Sequence, residues 1–539
     1  MTTTTPDPEA LLRSRPYLGL LALAAIIGVP ISGVAYGFLA LVDKLQHWVF
    51  TDLPNELGFH GAPLWWPLPP LALAGLLVAL TIRYLPGTAG HSPADGFKAG
   101  APPPTPVELP GVVLAALATL SLGAVLGPEA PLIALGGGLG VCAVRLAKKD
   151  APPQVTTMLA AAGSFTAIST LFGSPLLGAF LLMEAAGIGG AMLELVLVPG
   201  LLAAGIGSLI FIGLDNWTGL GTFSLAIPGL PHVGGLTGGE FGWALVIGVA
   251  AALAGAAIRW LAQVLRPHVE ARILATIVAG LAVAGLAIGY AAATGKAATD
   301  VLFSGQTALG PLIAHSGSYA VGALLLLLLC KGAAYSISMS GFRGGPVFPA
   351  MFVGATGGIA LSHLPGLSPI AGAAMGTGAM CAVLLQLPMT SVLLATVLLT
   401  SDGLAVMPVV IVAVVVAYVT SAWLLPAPQP PSPGVPAPGP SAAGPATAGS
   451  VPAVPARQDR ADKPQDGEDE ADQAEHASDH QDQADDLEVH VGGLPGNTEP
   501  EYRADNDERG AATDRHRSCH LLQPFMVARE EAQRLARRG

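Results

Sequence analysis

The chain has 539 residues, of which 52% are apolar and only 12% charged, about half the charged share of an average soluble domain, which excludes an ordinary cytosolic enzyme. Residues 1–425 carry 14 Lys and Arg against 16 Asp and Glu, and residues 426–539 carry 11 against 21, so the net charge of −12 divides into −2 and −10. A body with about 7% charged residues cannot present a wetted surface all round, so most of its exterior faces hydrocarbon and it reads as an all-α, polytopic membrane protein.

Residues 1–16 are polar and Thr-rich, with Arg13 and Arg15 ahead of an apolar run that lacks the small-residue cleavage pattern of a secretory signal. This segment is expected to be a retained cytoplasmic end. Runs long enough to cross a bilayer, about 20 apolar residues, lie near 17–42, 64–85, 107–126, 195–214, 241–264, 272–294 and 317–339, with a last one at 405–425. Gly and Pro break 130–147, 156–173, 175–187, 349–362, 368–385 and 388–400 at intervals too short for full spans. Helices that end inside a membrane are tolerated only where their free backbone groups line a cavity or meet buried partners, which is a transporter or channel signature. Basic residues cluster at Arg13/Arg15, Arg145/Lys148/Lys149 and Arg259/Arg266/Arg272, and these regions are expected in the cytoplasm, with the base-poor stretches 215–240 and 295–316 outside.

An internal repeat is visible. In PLIALGGGLG (131–140) and PAMFVGATGG (349–358), a Pro is followed five and nine residues later by Gly; downstream, Gly163 leads by twelve residues to Pro175 and Gly376 leads by twelve to Pro388. The pattern predicts a duplicated unit of broken helices whose two copies face each other at a midplane site.

Ionisable groups inside a bilayer are costly and carry a functional default. The acids well inside apolar sequence are Glu129, Glu184 and Glu194. Glu129 lies in LGPEAPLIALGGG, just ahead of a helix expected to start near Pro131. There it meets the free N–H groups and positive end of the helix dipole, either as a gate competing with a mobile anion or as a simple capping carboxylate. The second copy offers the same geometry in SGFRGGPVFPAMFVGATGG, with a helix expected from Pro349 and free amides at Ala350, Met351 and Phe352. Two facing helix N-termini can replace the water around a small anion without burying a full positive charge. Arg343 reads either as attraction at the mouth or as a loop charge near the membrane surface, and Lys331 as a side chain that snorkels or pairs with a carboxylate.

The cysteines Cys142, Cys330, Cys381 and Cys519 show no metal spacing, and the glycines of 136–140 follow no strand, which removes nucleotide binding. His91, His315 and His363 read as interfacial histidines. No cofactor, metal or nucleic-acid partner is called for. From 426 to 457 the chain is Pro-rich, with eleven prolines between Pro426 and Pro455, and 458–539 is a charged tail expected to be disordered and cytoplasmic.

GPEAP at 127–131, GSFTAISTLFGSPLLGAFLLME at 163–184, GGPVFP at 344–349 and QLPMTSVLLAT at 386–396 together resemble the CLC family of chloride channels and chloride/proton antiporters, over about 17–425. The resemblance implies an inverted-repeat bundle with partly spanning helices, assembled as a homodimer of independent pores in the cell membrane. It also implies transport of chloride or a similar small anion, with protons as a second substrate in some members, and a gate at Glu129. The family's GSGIP motif corresponds most closely to GHSPADG at 90–96, so its serine hydroxyl donor is either absent here or replaced by a donor from Ser92 or His91. In GGxFxP the residue after the glycines is here Pro346, which has no N–H, so anion binding would pass from Gly344 and Gly345 to Val347 and Phe348. In the family's EE pair Glu184 matches the first member and Ala185 replaces the second, which favours passive conduction over exchange, with Glu184 a proton path by another route. No equivalent of the family's pore tyrosine follows the last span. An intramembrane hydrolase pairing Ser340 with His315 or His363 is the alternative from another class.

Overall fold

The computed structural model describes residues 13–97, 102–147, 151–186, 191–219, 225–227 and 235–425; the tail readings, Lys148, Lys149 and the Glu194 side chain lie outside the described residues. Fifteen helices carry the described architecture: α1 (Arg15–His47), α2 (Leu68–Tyr84), α3 (Leu109–Ser121), α4 (Glu129–Ala147), α5 (Pro153–Phe172), α6 (Pro175–Ala186), α7 (Ala191–Thr218), α8 (Gly238–Val269), α9 (Ile273–Thr294), α10 (Gln306–Ala314), α11 (Val321–Gly341), α12 (Val347–Leu361), α13 (Pro369–Leu385), α14 (Pro388–Leu398) and α15 (Gly403–Leu424). Eight of the described helical stretches are long and apolar enough to cross a membrane, beginning in α1, α4, α5, α7, α8, α9, α11 and α15. Large apolar side chains stand outward on them, among them Ile26, Leu209, Trp260 and Leu329, each more than 60% exposed. That is the reverse of a soluble surface and the arrangement a hydrocarbon solvent stabilises.

Helix lengths depart from the sequence expectation in both directions. The runs at 64–85 and 107–126 are long enough to span, yet α2 has 17 residues and α3 only 13, ending where Leu85 and Leu122 leave helical geometry. Conversely, 130–147 and 156–173 form helices of 19 and 20 residues, since glycines inside a helix packed on both sides are tolerated. Arg259 and Arg266 lie within α8 and not in a loop.

The repeat is structural. Gly136 and Gly140 of α4 rest directly on the backbone of Gly163 and Leu159 in α5, and Gly354 and Gly358 of α12 rest on Gly376 and Gly372 in α13. A methyl group at Gly163 would overlap the Gly136 carbonyl, and one at Gly376 the Gly354 carbonyl. The spacing of five and nine residues after each Pro is therefore a packing seam that lets two helix backbones touch.

Candidate functional site

Each copy's seam helix begins with the same five residues in outline: Gly127-Pro128-Glu129-Ala130-Pro131 opens α4, and Gly345-Pro346-Val347-Phe348-Pro349 opens α12. The two glycines pair as an isolated antiparallel bridge, Gly127 N–H to Gly345 O at 2.8 Å and Gly345 N–H to Gly127 O at 2.6 Å. The first amide to close the α-helical ladder is Leu132 onto Pro128 O at 2.9 Å in α4 and Ala350 onto Pro346 O at 3.2 Å in α12. Proline supplies no N–H at the first and last positions between. Each helix start thus presents two amides without an intrahelical acceptor, Glu129 and Ala130 in one copy and Val347 and Phe348 in the other.

This corrects two expectations. α4 starts at Glu129 and not at Pro131, and α12 starts at Val347, two residues before Pro349, so the amide of Ala350 is already used inside the helix and those without an intrahelical acceptor are Val347 and Phe348. Prolines tolerated in the first turn had been taken as its first residue; they are its third.

Glu129 is fully buried. Its Oε1 accepts the Phe348 N–H at 2.7 Å, while Oε2 has no hydrogen-bond partner. The carboxylate therefore reaches from the start of α4 across to the positive end of α12. Glycine is needed beneath it: a Cβ on Gly345 would overlap Oε2, and one on Gly127 would meet both carboxylate oxygens. Around it the loops are pinned by Val125 N–H to Ser338 Oγ (3.0 Å), Tyr335 OH to Pro346 O (2.8 Å) and Arg343 N–H to Thr119 Oγ1 (3.2 Å). The Phe172 and Phe348 rings pack 5.9 Å apart. A carboxylate so placed competes with any mobile anion for the same amides, and its half-satisfied state leaves one oxygen paying a desolvation cost that a better-bonded position would recover.

Beside these helix starts opens a cavity of about 880 Å³, lined by Ala130, Pro131, Gly344 and Pro346 and by the loop 87–97. Ser92 lies in that loop, 4% exposed, and its hydroxyl has no partner. It precedes a short 3-10 turn, Pro93–Asp95, without capping it, so the hydroxyl is held buried beside the cavity with its donor unused. Arg343, 3% exposed, is no surface charge. It donates to Glu270 Oε1 at 2.7 Å and to Thr88 O at 3.3 Å; Glu270 also takes Arg266 Nε at 2.6 Å, and Arg266 pairs with Asp95. This chain of ion pairs ties the Ser92 loop to the Gly344 loop. Burial works to raise Glu270, but the two guanidinium partners outweigh it and hold its carboxyl below the usual range.

The structure thus brings together Glu129, Gly345, Val347 and Phe348 at the two helix starts, with Gly344 and Ser92 on the adjoining cavity. Glu184 stands apart. Its Oε1 accepts Met389 N–H at 2.9 Å and its Oε2 accepts both Thr390 N–H at 2.7 Å and Thr390 Oγ1–H at 2.6 Å, so it caps the start of α14 from the end of α6. Sequence reasoning missed Glu270, Tyr335 and Ser338; Lys331 is fully buried and does not snorkel, donating to backbone carbonyls with the Asp300 carboxylate attracting it from beyond direct ion-pair distance. The signal was present in KGAAYSISMSGF, where Lys331, Tyr335, Ser338 and Phe342 recur at helical spacing along one face.

A family model described as voltage gated chloride channel matches residues 74–422. The "Putative ion-transport protein YfeO" of Escherichia coli O1:K1 is 31% identical over 359 residues, 66% of this chain and 81% of that protein, and its counterpart in Shigella boydii serotype 4 is 30% identical over the same length. Among solved structures, a slow cyanobacterial Cl−/H+ antiporter superposes with a TM-score of 0.61 at 21% identity, covering 75% of this chain and 94% of the other. A CLC-type fluoride/proton antiporter gives 0.56 at 20% identity, covering 75% and 96%.

Proposed function

Because the chain belongs to the voltage gated chloride channel family, we propose that it carries chloride or a similar small anion across the cell membrane through a CLC-type pore gated by Glu129. The observation that supports this most directly is the Glu129 carboxylate on the Phe348 amide, with its second oxygen unpartnered and a glycine beneath it. The pore would run from the Ser92 cavity, where a buried hydroxyl is unpartnered, to the paired helix starts, where Val347 and Phe348 offer amides. An anion arriving there displaces the carboxylate; protonation removes the carboxylate's charge and with it the competition for those amides. The chain works as a homodimer in a lipid bilayer, with the N-terminal segment and the tail on the cytoplasmic side.

Exchange of the anion for protons is the second reading, favoured by the likeness to two proton-coupled antiporters. Against it stand Ala185 in place of a second acid and the three donors that occupy Glu184. Purified protein in chloride-loaded liposomes is expected to release chloride, and flux no higher than that of empty vesicles would overturn the assignment. A pH gradient imposed at symmetric chloride separates the readings: an exchanger moves chloride against no gradient of its own, and a channel does not.

A further inference from the structure

The most deeply buried cation among the described residues makes no direct ion pair and is held by backbone carbonyls, with the Asp300 carboxylate near enough to attract it. Lys331, midway along α11, is 0% exposed. Its Nζ donates to the carbonyls of Asp300 (2.9 Å), Val301 (3.2 Å), Leu302 (3.0 Å) and Phe303 (3.4 Å) and lies 4.3 Å from the centre of the Phe352 ring. Four converging backbone oxygens with an aromatic face on another side make a cradle for a small monocation. What the cradle joins matters for the pore. The Phe303 N–H donates to Gly123 O at 3.2 Å, and Gly123 starts the stretch that leads to Glu129. Phe352 sits four residues beyond Phe348 on α12, about 6 Å along the axis. One ammonium thus holds the lead-in to Glu129 and the anion-binding end of α12 at a fixed separation.

We propose that Lys331 is a positioning residue for anion transport: it is a tethered monocation filling a carbonyl-and-ring site, and occupancy of that site sets the register between Glu129 and the Phe348 amide. This rests on the anion-transport reading given above. Truncation empties the site, and a free alkylammonium of the right size refills it.

The test uses the full chain in liposomes, with methylammonium equal on both sides so that no pH gradient forms. Lys331→Ala is expected to raise the half-saturating chloride concentration about tenfold, and millimolar methylammonium to bring it back to within about twofold, as mass action on a vacated site requires. Lys331→Met, which fills the space without charge, is expected to show the same loss and no recovery, and tetramethylammonium, too large for the cradle, to restore neither. Phe352→Leu removes the ring alone and is expected to shift half-saturation in the same direction by about threefold. Methylammonium is also expected to raise the thermal unfolding temperature of detergent-solubilised Lys331→Ala and not of wild type. Wild-type chloride dependence in Lys331→Ala, or a loss with neither recovery of flux nor thermal stabilisation by methylammonium, would overturn the proposal. If Lys331→Ala does not fold, an unchanged half-saturation in Phe352→Leu overturns it. Absence of flux in wild type refutes the transport reading alone, because the thermal shift still reports on the cradle.

Discussion

The starts of α4 and α12 share one backbone plan and differ in two side chains, Glu129 against Val347 and Ala130 against Phe348. Both run Gly-Pro-x-x-Pro, both leave two amides without an intrahelical acceptor, and their glycines bridge to each other. At the position after the first proline, however, one carries Glu129 and the other Val347. Two dipole ends with no acid between them would be a plain anion site, open whenever an anion is present. The single carboxylate gives that site an internal occupant, and in the proposed mechanism ties its availability to proton concentration. Glu184 supplies the control, being a second carboxylate at a helix start, but one whose oxygens are both bonded. A fully satisfied carboxylate is a clamp, whereas one with a bare oxygen can leave.

Replacing the acid of the first motif by the residue at the same place in the second should have the largest effect. Glu129→Val is expected to raise chloride flux at neutral pH by about tenfold, equivalent to removing roughly 1.4 kcal/mol of internal competition, and to flatten a pH profile that in wild type climbs on acidification. Flux assays at stepped pH decide this, and a surviving pH dependence would move the gate elsewhere. Glu184→Ala should do the opposite kind of damage, leaving two amides and a hydroxyl of α14 without their acceptor at a cost of about 1–3 kcal/mol. Its unfolding midpoint should fall while the shape of the pH–flux curve stays; a changed curve at unchanged stability would instead put Glu184 on a proton path.

The remaining two variants sharpen the contrast from the cavity side. Glu270 is held low by Arg266 and Arg343, so its contribution is present at neutral pH and is lost as pH falls through its folded value, below the ordinary carboxylate range of about 4.3. Glu270→Gln should therefore lower the midpoint at pH 7 and flatten the acid limb of a stability-versus-pH series, because Arg343 is left buried without its counter-charge. Ser92→Ala is expected to be the mildest, with unaltered stability, since the hydroxyl has no partner to lose, and half-saturating chloride raised about fivefold, the worth of a hydrogen bond near 1 kcal/mol. An unchanged chloride dependence would remove Ser92 from the pathway.

Periodicity and the five-and-nine glycine spacing made the helices, the duplication and the seams legible, because each is written locally in side-chain size. Glu129 was legible because an acid between prolines in apolar sequence has few other uses. The exact helix starts were not, since proline is tolerated at several positions of a first turn and only the closure of Leu132 onto Pro128 and Ala350 onto Pro346 fixes which. Nor were the partners of Glu184, Arg343 and Lys331, whose contacts lie 205, 73 and 28–31 residues away in sequence. The length of an apolar run also failed as a guide to α2 and α3, which end where Leu85 and Leu122 leave helical geometry.

The seams at Gly136–Gly163 and Gly354–Gly376 have a consequence for time. Helices whose backbones touch cannot slide without a carbonyl meeting a Cα, so each pair behaves as one rigid piece and the slow class of motion, microseconds to milliseconds for shifting helices, is closed to it. The moving part left at the crossing is a glutamate side chain turning about its own torsions. If Glu129 is the gate proposed above, the tempo of opening is set by how often a proton or an anion arrives, and the frame around it serves as a stationary bearing for that one rotor.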